Sequence, residues 1–362
     1  MEDVGLIMPT ASLDPEFWKN KRVLLTGHSG FKGAWLGLWL ERLEALVTGV
    51  SLPPDTRPNL FELSKLEQKF HSHFCDIRDY ENFEKIVQKC DPEIIFHLAA
   101  QPLVLASYES PLDTFSTNVM GTTNLLEISR TLPNVKAIVV VTTDKVYKNT
   151  ENGLLFKEDD PLGGLDPYSS SKAAAEMVVS SYRHSFFQSR NIKVSTARAG
   201  NVIGGGDWSK NRILPDAISA WKNGDVLLVR NPNAVRPWQH VLEPIFGYLM
   251  LAQKSFDNKF SGDAFNFGPN PDGAVPVHDL ICMAQVAMGY GEVEFSKSRP
   301  VLHEANNLML DNDKSSKILG ISPAMNLKIS IDKTINWHKE YWSGRDVHDL
   351  CNSEISEYME LL

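Results

Sequence analysis

Up to Gly200, short apolar runs alternate with segments in which apolar positions recur at helical spacing. The runs are Arg22–Thr26, Val47–Ser51, His71–Cys75, Ile94–Ala99, Ala137–Thr142 and Val194–Ala199, and each predicts a buried strand. Helical periodicity predicts helices over 34–46, 79–89, 111–132 and 168–189. Strands joined by helices of this length pair in parallel and are covered on both faces. The first part, 21–200, is therefore expected to be a doubly wound α/β Rossmann sheet. Residues 1–20 lack a clear period and read as a loose leader.

Beyond Gly200 the regularity weakens. Gly204–Gly206, Pro215, Pro232, Pro237, Pro269 and Pro276 punctuate shorter elements. Helices are expected at 213–223, 242–255, 277–289 and 327–342. This part, 201–362, is read mainly as a smaller lobe over the ligand edge of the sheet, with some segments returning to the sheet.

Bulk properties narrow the partners. The chain has 362 residues and a formal net charge of −9, which argues against a nucleic-acid or anionic-membrane surface. A local group of arginines can still bind an anionic small molecule. Cys75, Cys90, Cys282 and Cys351 lie far apart with no metal-ligand spacing, so neither a disulfide nor a metal site is expected. The start of the chain has no signal pattern, and the apolar stretch Ala34–Leu40 is too short to span a bilayer. A cytoplasmic location is expected.

The first strand runs into Thr26-Gly27-His28-Ser29-Gly30-Phe31-Lys32-Gly33, which opens the first helix. Glycines here permit a tight turn and let backbone approach a pyrophosphate, while the helix N-terminus offers free N–H groups. Tyr168 and Lys172 stand at i and i+4 of a later helix and share one face. An unperturbed phenol, with a pKa of about 10, is a poor base, and a nearby ammonium stabilises its phenolate. The fifth strand ends in Thr143-Asp144-Lys145. A charged pair there could supply an acid and a base for loss of water; the bland alternative is a surface turn.

In this order the motifs resemble the extended branch of the short-chain dehydrogenase/reductase family, whose glycine loop is TGxxGFxG. The resemblance implies NAD, held by Gly27, His28, Gly30, Phe31, Lys32 and Gly33. It further implies Asp76 and Ile77 at the adenine, Leu98, Ala99, Ala100 and Gln101 after the fourth strand, and Asn118 near the catalytic centre. His97, in the same HxAA segment, could equally be a satisfied core imidazole. The second strand lacks the usual ribose-binding carboxylate; Asp55 comes late, and Lys32 and Arg57 are nearby bases, so the preference for NAD over NADP is modest.

Within that family, Thr143-Asp144-Lys145, His28, Lys32 and Arg236-Pro237-Trp238-Gln239-His240-Val241 resemble the CDP-glucose 4,6-dehydratases over roughly 17–342. Lys145 departs from the dTDP-glucose enzymes, which have Glu there. The resemblance implies Thr143, Asp144, Lys145, Tyr168 and Lys172 as catalytic residues. It implies Asn201, Arg212, Arg236 and His240 as binders of a sugar nucleotide, CDP-glucose. It implies a homodimer or higher homo-oligomer through helices 111–132 and 168–189, and a place in deoxysugar synthesis for a bacterial surface polysaccharide. Three alternatives stay open: a UDP-sugar 4-epimerase, a dehydratase of another glucose nucleotide, and a non-catalytic cofactor sensor.

Overall fold

The computed structural model describes residues 12–149, 153, 155–257, 260, 262–270, 273–296 and 308–362. Seven parallel strands form the central sheet: β1 Arg22–Thr26, β2 Leu46–Ser51, β3 His71–Phe74, β4 Ile94–His97, β5 Ala137–Val141, β6 Lys193–Ala199 and β7 Ala264–Phe267. Their order across the sheet is β7-β6-β5-β4-β1-β2-β3, with β1 pairing both β2 and β4. The chain thus winds outward from β1 in one direction and then returns to wind in the other. The point of reversal, between β1 and β4, is where a ligand crevice opens in such sheets.

Strand pleating divides the core between two faces. Val23 and Leu25 of β1, Ile94 and Phe96 of β4, and Val139 of β5 point into one apolar cluster. Leu24, Ile95 and Ile138 point into the other. All five residues of β5 are buried, as expected for a strand covered on both sides. The α/β Rossmann expectation is borne out, and the first six strands lie within two residues of their predicted ends.

Helix α1, Phe31–Arg42, follows the glycine loop. The stretch expected as one helix over 111–132 is Pro111–Phe115, a π turn Ser116–Met120 and then Gly121–Ser129, preceded by a separate helix Val104–Glu109. The stretch 168–189 is helix α2, Pro167–Tyr182, continued by a π turn Arg183–Phe187. A third apolar cluster holds the remaining lobe, where helices Ile213–Asn223, Val277–Met288 and Leu327–Trp342 pack together with strand Val226–Val229.

Three features differ from expectation. Residues 1–11 of the leader lie outside the described residues, but the rest of it is not loose. Pro15–Trp18 is a helical turn capped by Asp14, and fully buried Trp18 donates through Nε1 to Gln253 Oε1 at 3.1 Å. Strand β7, through which the second half of the chain returns to the sheet, was not among the strands predicted; it closes the edge beyond β6. The chain ends in an unexpected helix, Val347–Leu361, lying on α1; Tyr358 meets Trp39 edge-on at 5.7 Å. All four cysteines are free thiols, and no helix among the described residues is long and apolar enough to cross a membrane.

Candidate active site

A cleft of about 1200 Å³ opens at the carboxyl ends of β1, β4, β5 and β6 and continues under the second lobe. Its volume exceeds the roughly 300–1,000 Å³ usual for one small ligand. It has room for two.

The glycine loop forms one end. Gly27 has φ +76°, and a Cβ on it would lie 2.7 Å from Ala99 N, so only glycine fits between β1 and the turn after β4. A Cβ on Gly33 would meet Gly27 O at 2.0 Å. This bare backbone at the N-terminus of α1 is a cradle for a pyrophosphate, and the residues present fit a dinucleotide. Gly27, Gly30, Phe31, Lys32 and Gly33 all line the cleft.

His28 does not. Its side chain is fully buried beneath the loop, bonded to Ser72 Oγ at 2.6 Å and Ser51 Oγ at 3.1 Å. Gly49 of β2 makes the room, since a Cβ there would lie 2.4 Å from the ring. Burial lowers the His28 pKa to about 4, so it packs as a neutral ring. Lys32 points toward the catalytic end and not toward the ribose end of β2. Its Nζ lies 3.5 Å from Tyr248 Oη, and burial, then Arg212 and Lys172, lower its pKa to about 7.

Asp76, Ile77, Leu98, Ala99, Ala100 and Gln101 line the cleft. Arg78 holds both oxygens of Asp76, with its Nε 3.0 Å from each, and also pairs with Asp113. Arg78 was missed in the sequence, although it follows Asp76 by two residues. Asn118 lies in the π turn, 1% exposed and behind the cleft wall. Its Oδ1 accepts from Gln101 N at 2.8 Å, and its Nδ2 donates to Gln101 O at 3.1 Å and Ser171 Oγ at 2.8 Å. It bonds to its neighbours and does not line this cleft.

His97 is the satisfied core imidazole. Thr122 spends its one proton on Asn118 O at 2.7 Å, so it accepts from His97 Nε2–H at 3.1 Å. Nδ1 is then the acceptor for Thr26 Oγ1 at 2.7 Å.

The catalytic candidates converge at the end of β5. Asp166 caps α2 by accepting from Ser169 N, which sets Tyr168 at the helix start facing the cleft. Burial raises the Tyr168 pKa to about 12, while a hydrogen bond with Thr143 pulls the other way. One turn on, Lys172 is brought down to about 8 by burial, against the opposing charge of Glu176. Thr143 caps the 3₁₀ turn Asp144–Val146, accepting from Lys145 N and donating to Asp144 Oδ1 at 2.9 Å. Lys145 Nζ stands 3.5 Å from the same Oδ1. Asp144 is 1% exposed, and its Oδ2 is buried with no hydrogen-bond partner among the described residues. The pair is not a surface turn.

In the second lobe, Asn201, Arg212 and Arg236 line the cleft. Asn201 Oδ1 is a second buried acceptor without a hydrogen-bond partner, and Arg212 is held by Asp207 at 3.0 Å. His240 does not reach the cleft: it is fully buried, with Nε2 2.9 Å from Glu354 of the last helix. Arg236 and His240 lie on different short strands, Val235–Pro237 and Gln239–His240, which pair with different neighbours. Their nearness in sequence therefore did not put them on one face. His338, also missed, contributes a buried ring to the cleft wall beside Trp208.

Comparison with known proteins agrees with this architecture. The profile of the GDP-mannose 4,6 dehydratase family matches residues 24–334. The chain belongs to that family. Among its relatives, the CDP-glucose 4,6-dehydratase of Salmonella typhimurium (strain LT2) is 43% identical over 354 residues, covering 96% of this chain and 98% of that protein. The resemblance read from the glycine loop, the Tyr168–Lys172 pair and the Thr143–Lys145 turn is borne out by this match. Two solved structures share the fold. The UDP-glucose 4-epimerase of Thermotoga maritima, with UDP-glucose, superposes with a TM-score of 0.77 at 23% identity, covering 88% of this chain and 99% of that one. The dTDP-glucose 4,6-dehydratase of Bacillus anthracis, in complex with NAD, gives 0.74 at 21% identity, covering 90% and 97%.

Proposed function

We propose that this member of the dehydratase family converts CDP-glucose to CDP-4-keto-6-deoxyglucose. The observation that carries the reading is the buried, half-partnered carboxyl of Asp144 beside Thr143 and Lys145. A 4-epimerase needs only the Tyr168–Lys172 pair, and a cofactor sensor needs neither. An acid–base pair one and two residues beyond Thr143 has a use only if a bond other than C4–H is broken. The cytidine base rests on the 43% identity with the Salmonella typhimurium enzyme over nearly both full lengths.

The fit of the glycine cradle favours a bound dinucleotide along Gly27–Gly33, with Asp76 and Ile77 at its far end and Leu98–Gln101 beneath it. NAD, when bound, supplies the reversible acceptor for the C4 hydrogen, which returns at C6. Tyr168, supported by the Lys172 ammonium, takes the proton from the C4 hydroxyl. Thr143 donates to the C4 oxygen. The 4-keto group acidifies C5–H. Lys145, neutral in this step, removes that proton while Asp144, carrying its own proton, protonates the departing C6 hydroxyl. Lys145 gives a proton back to C5 when hydrogen returns at C6. Asn201, Arg212 and Arg236 hold the substrate diphosphate, a task suited to guanidinium forks.

Two broader readings belong with this one. The helices 111–129 and 167–187 expose the large apolar side chains Leu112, Phe115, Met120, Met177 and Phe186, which suit pairing with a second copy. A cytoplasmic enzyme of deoxysugar synthesis for a surface polysaccharide fits the substrate and the free thiols. The test is incubation of purified protein and NAD with CDP-, UDP- and dTDP-glucose separately. Loss of one water, with the best kcat/KM for CDP-glucose, is expected. Unchanged mass with inverted C4 indicates an epimerase, and no change a sensor.

A further inference from the structure

Beneath the catalytic turn lies a buried polar network that reaches the cleft at Thr142. Glu176, on α2 one turn past Lys172, is 4% exposed. Its Oε1 accepts from Thr142 Oγ1 at 2.5 Å and Arg198 Nε at 3.0 Å; its Oε2 accepts from Thr196 Oγ1 and Arg198 Nη2, both at 2.8 Å. Arg198, 3% exposed on β6, donates through Nη1 to Tyr147 Oη and to Glu158 O, both at 2.9 Å. Tyr147 Oη in turn donates a hydrogen bond to Asn266 Oδ1 at 2.7 Å. A buried ion pair is justified only where its remaining hydrogen-bonding capacity is used, and here it is.

The bonds to Thr142 and Tyr147 bracket one segment. Thr142 is the residue before Thr143, and Tyr147 ends the 3₁₀ turn that carries Asp144 and Lys145. One buried pair thus grips the catalytic turn at both ends. The Asp144 side chain is hydrogen-bonded by Thr143 Oγ1 and paired with Lys145 Nζ, with no direct bond to Glu176 or Arg198 among the described residues. Tyr168 and Lys172 have further anchors outside this network, Ser107 Oγ on Tyr168 N at 3.1 Å and Val141 O on Lys172 Nζ at 3.0 Å, although Tyr168 also meets Thr143 of the turn.

We propose that Glu176 and Arg198, acting through Thr142 and Tyr147, are positioning residues for the elimination step, holding Asp144 and Lys145 over C5 and C6 while leaving oxidation at C4 to Tyr168 and Lys172, which have the further anchors Ser107 and Val141. The proposal rests on the dehydratase reading above. Tyr147 is the informative end, because it adjoins Asp144 and Lys145 and lies apart from Lys172, whereas Glu176 also bears on the charge of Lys172.

The experiment is Tyr147→Phe in the full chain with NAD and CDP-glucose, with a thermal melt to show that it folds. Product formation and exchange of C5–H with solvent deuterium should fall about tenfold or more, the scale of a small misplacement of reacting groups. KM should stay close to wild type, and 4-keto-glucose nucleotide should accumulate, since oxidation continues. Arg198→Lys keeps the charge but loses the Nη1 bond to Tyr147 along with the fork on Glu176; it should reproduce the pattern and carries the test if Tyr147→Phe does not fold. Unchanged product formation, or oxidation and C5 exchange falling together, overturns the proposal. Failure of the wild type to lose water overturns the dehydratase reading instead.

Discussion

Lys172 Nζ donates to the carbonyl oxygen of Val141 at 3.0 Å, tying the helix that carries Tyr168 to the last residue of β5, from which the Thr143–Lys145 turn departs. Two elements distant in sequence are thereby fixed relative to each other by the same group proposed to support the Tyr168 phenolate.

Tyr168→Phe removes the proton acceptor and little else. Turnover should fall at least ~10²-fold, the usual scale for a general base, with substrate affinity largely kept. Product assays with a binding titration check this, and near wild-type turnover would refute the assignment.

The Tyr168–Lys172 pair must lose one proton before it can accept another. Lys172, near pKa about 8, loses it before Tyr168, near about 12. The neutral-lysine form and the reactive phenolate–ammonium form then share one pH dependence. Turnover should rise with pH up to about 8 and then level. In Lys172→Met the early group is gone, so activity should be low and still rising at the alkaline end of the profile. A Lys172→Met profile that levels where the wild type does would contradict the pairing.

Arg236→Ala should raise KM much more than it lowers kcat, because a diphosphate clamp binds ground and transition states alike. Losing a charge-assisted contact costs roughly 1.5–3 kcal/mol, about ten- to over a hundredfold in KM. An unchanged KM would remove Arg236 from the binding site.

Much of this was legible because its chemistry forces local sequence. Gly27 and Gly33 are required by backbone contacts, and Tyr168 and Lys172 share a helical face, so spacing revealed both. Side-chain direction was not legible. His28 turns under the loop because Gly49, on another strand, leaves space there, and His240 turns back to Glu354 of a helix more than a hundred residues later. That helix carries its own stripe of Val347, Leu350, Cys351, Ile355 and Tyr358, but the buried Glu354 within it reads as a solvent residue until its histidine partner is known. Strand β7 was missed for a similar reason: Asn266 interrupts a four-residue apolar run, and its burial is explained by distant partners, Tyr147 Oη and the carbonyls of Phe156 and Asp311.

Lys145 separates dehydration from simple oxidation. If it removes the C5 proton, Lys145→Ala should still oxidise C4 and accumulate 4-keto-glucose nucleotide, while failing to exchange C5–H with solvent deuterium. Wild-type exchange in this variant would rule out the base role and leave the dehydratase reading standing.

The central claim is that hydrogen leaves C4, water leaves across C5–C6, and the same hydrogen returns at C6. CDP-glucose carrying deuterium at C4, incubated with the enzyme and NAD, tests this most directly. The account predicts a product lighter by one water that retains the deuterium at C6. A product of unchanged mass with deuterium still at C4, or a dehydrated product lacking deuterium at C6, would contradict it.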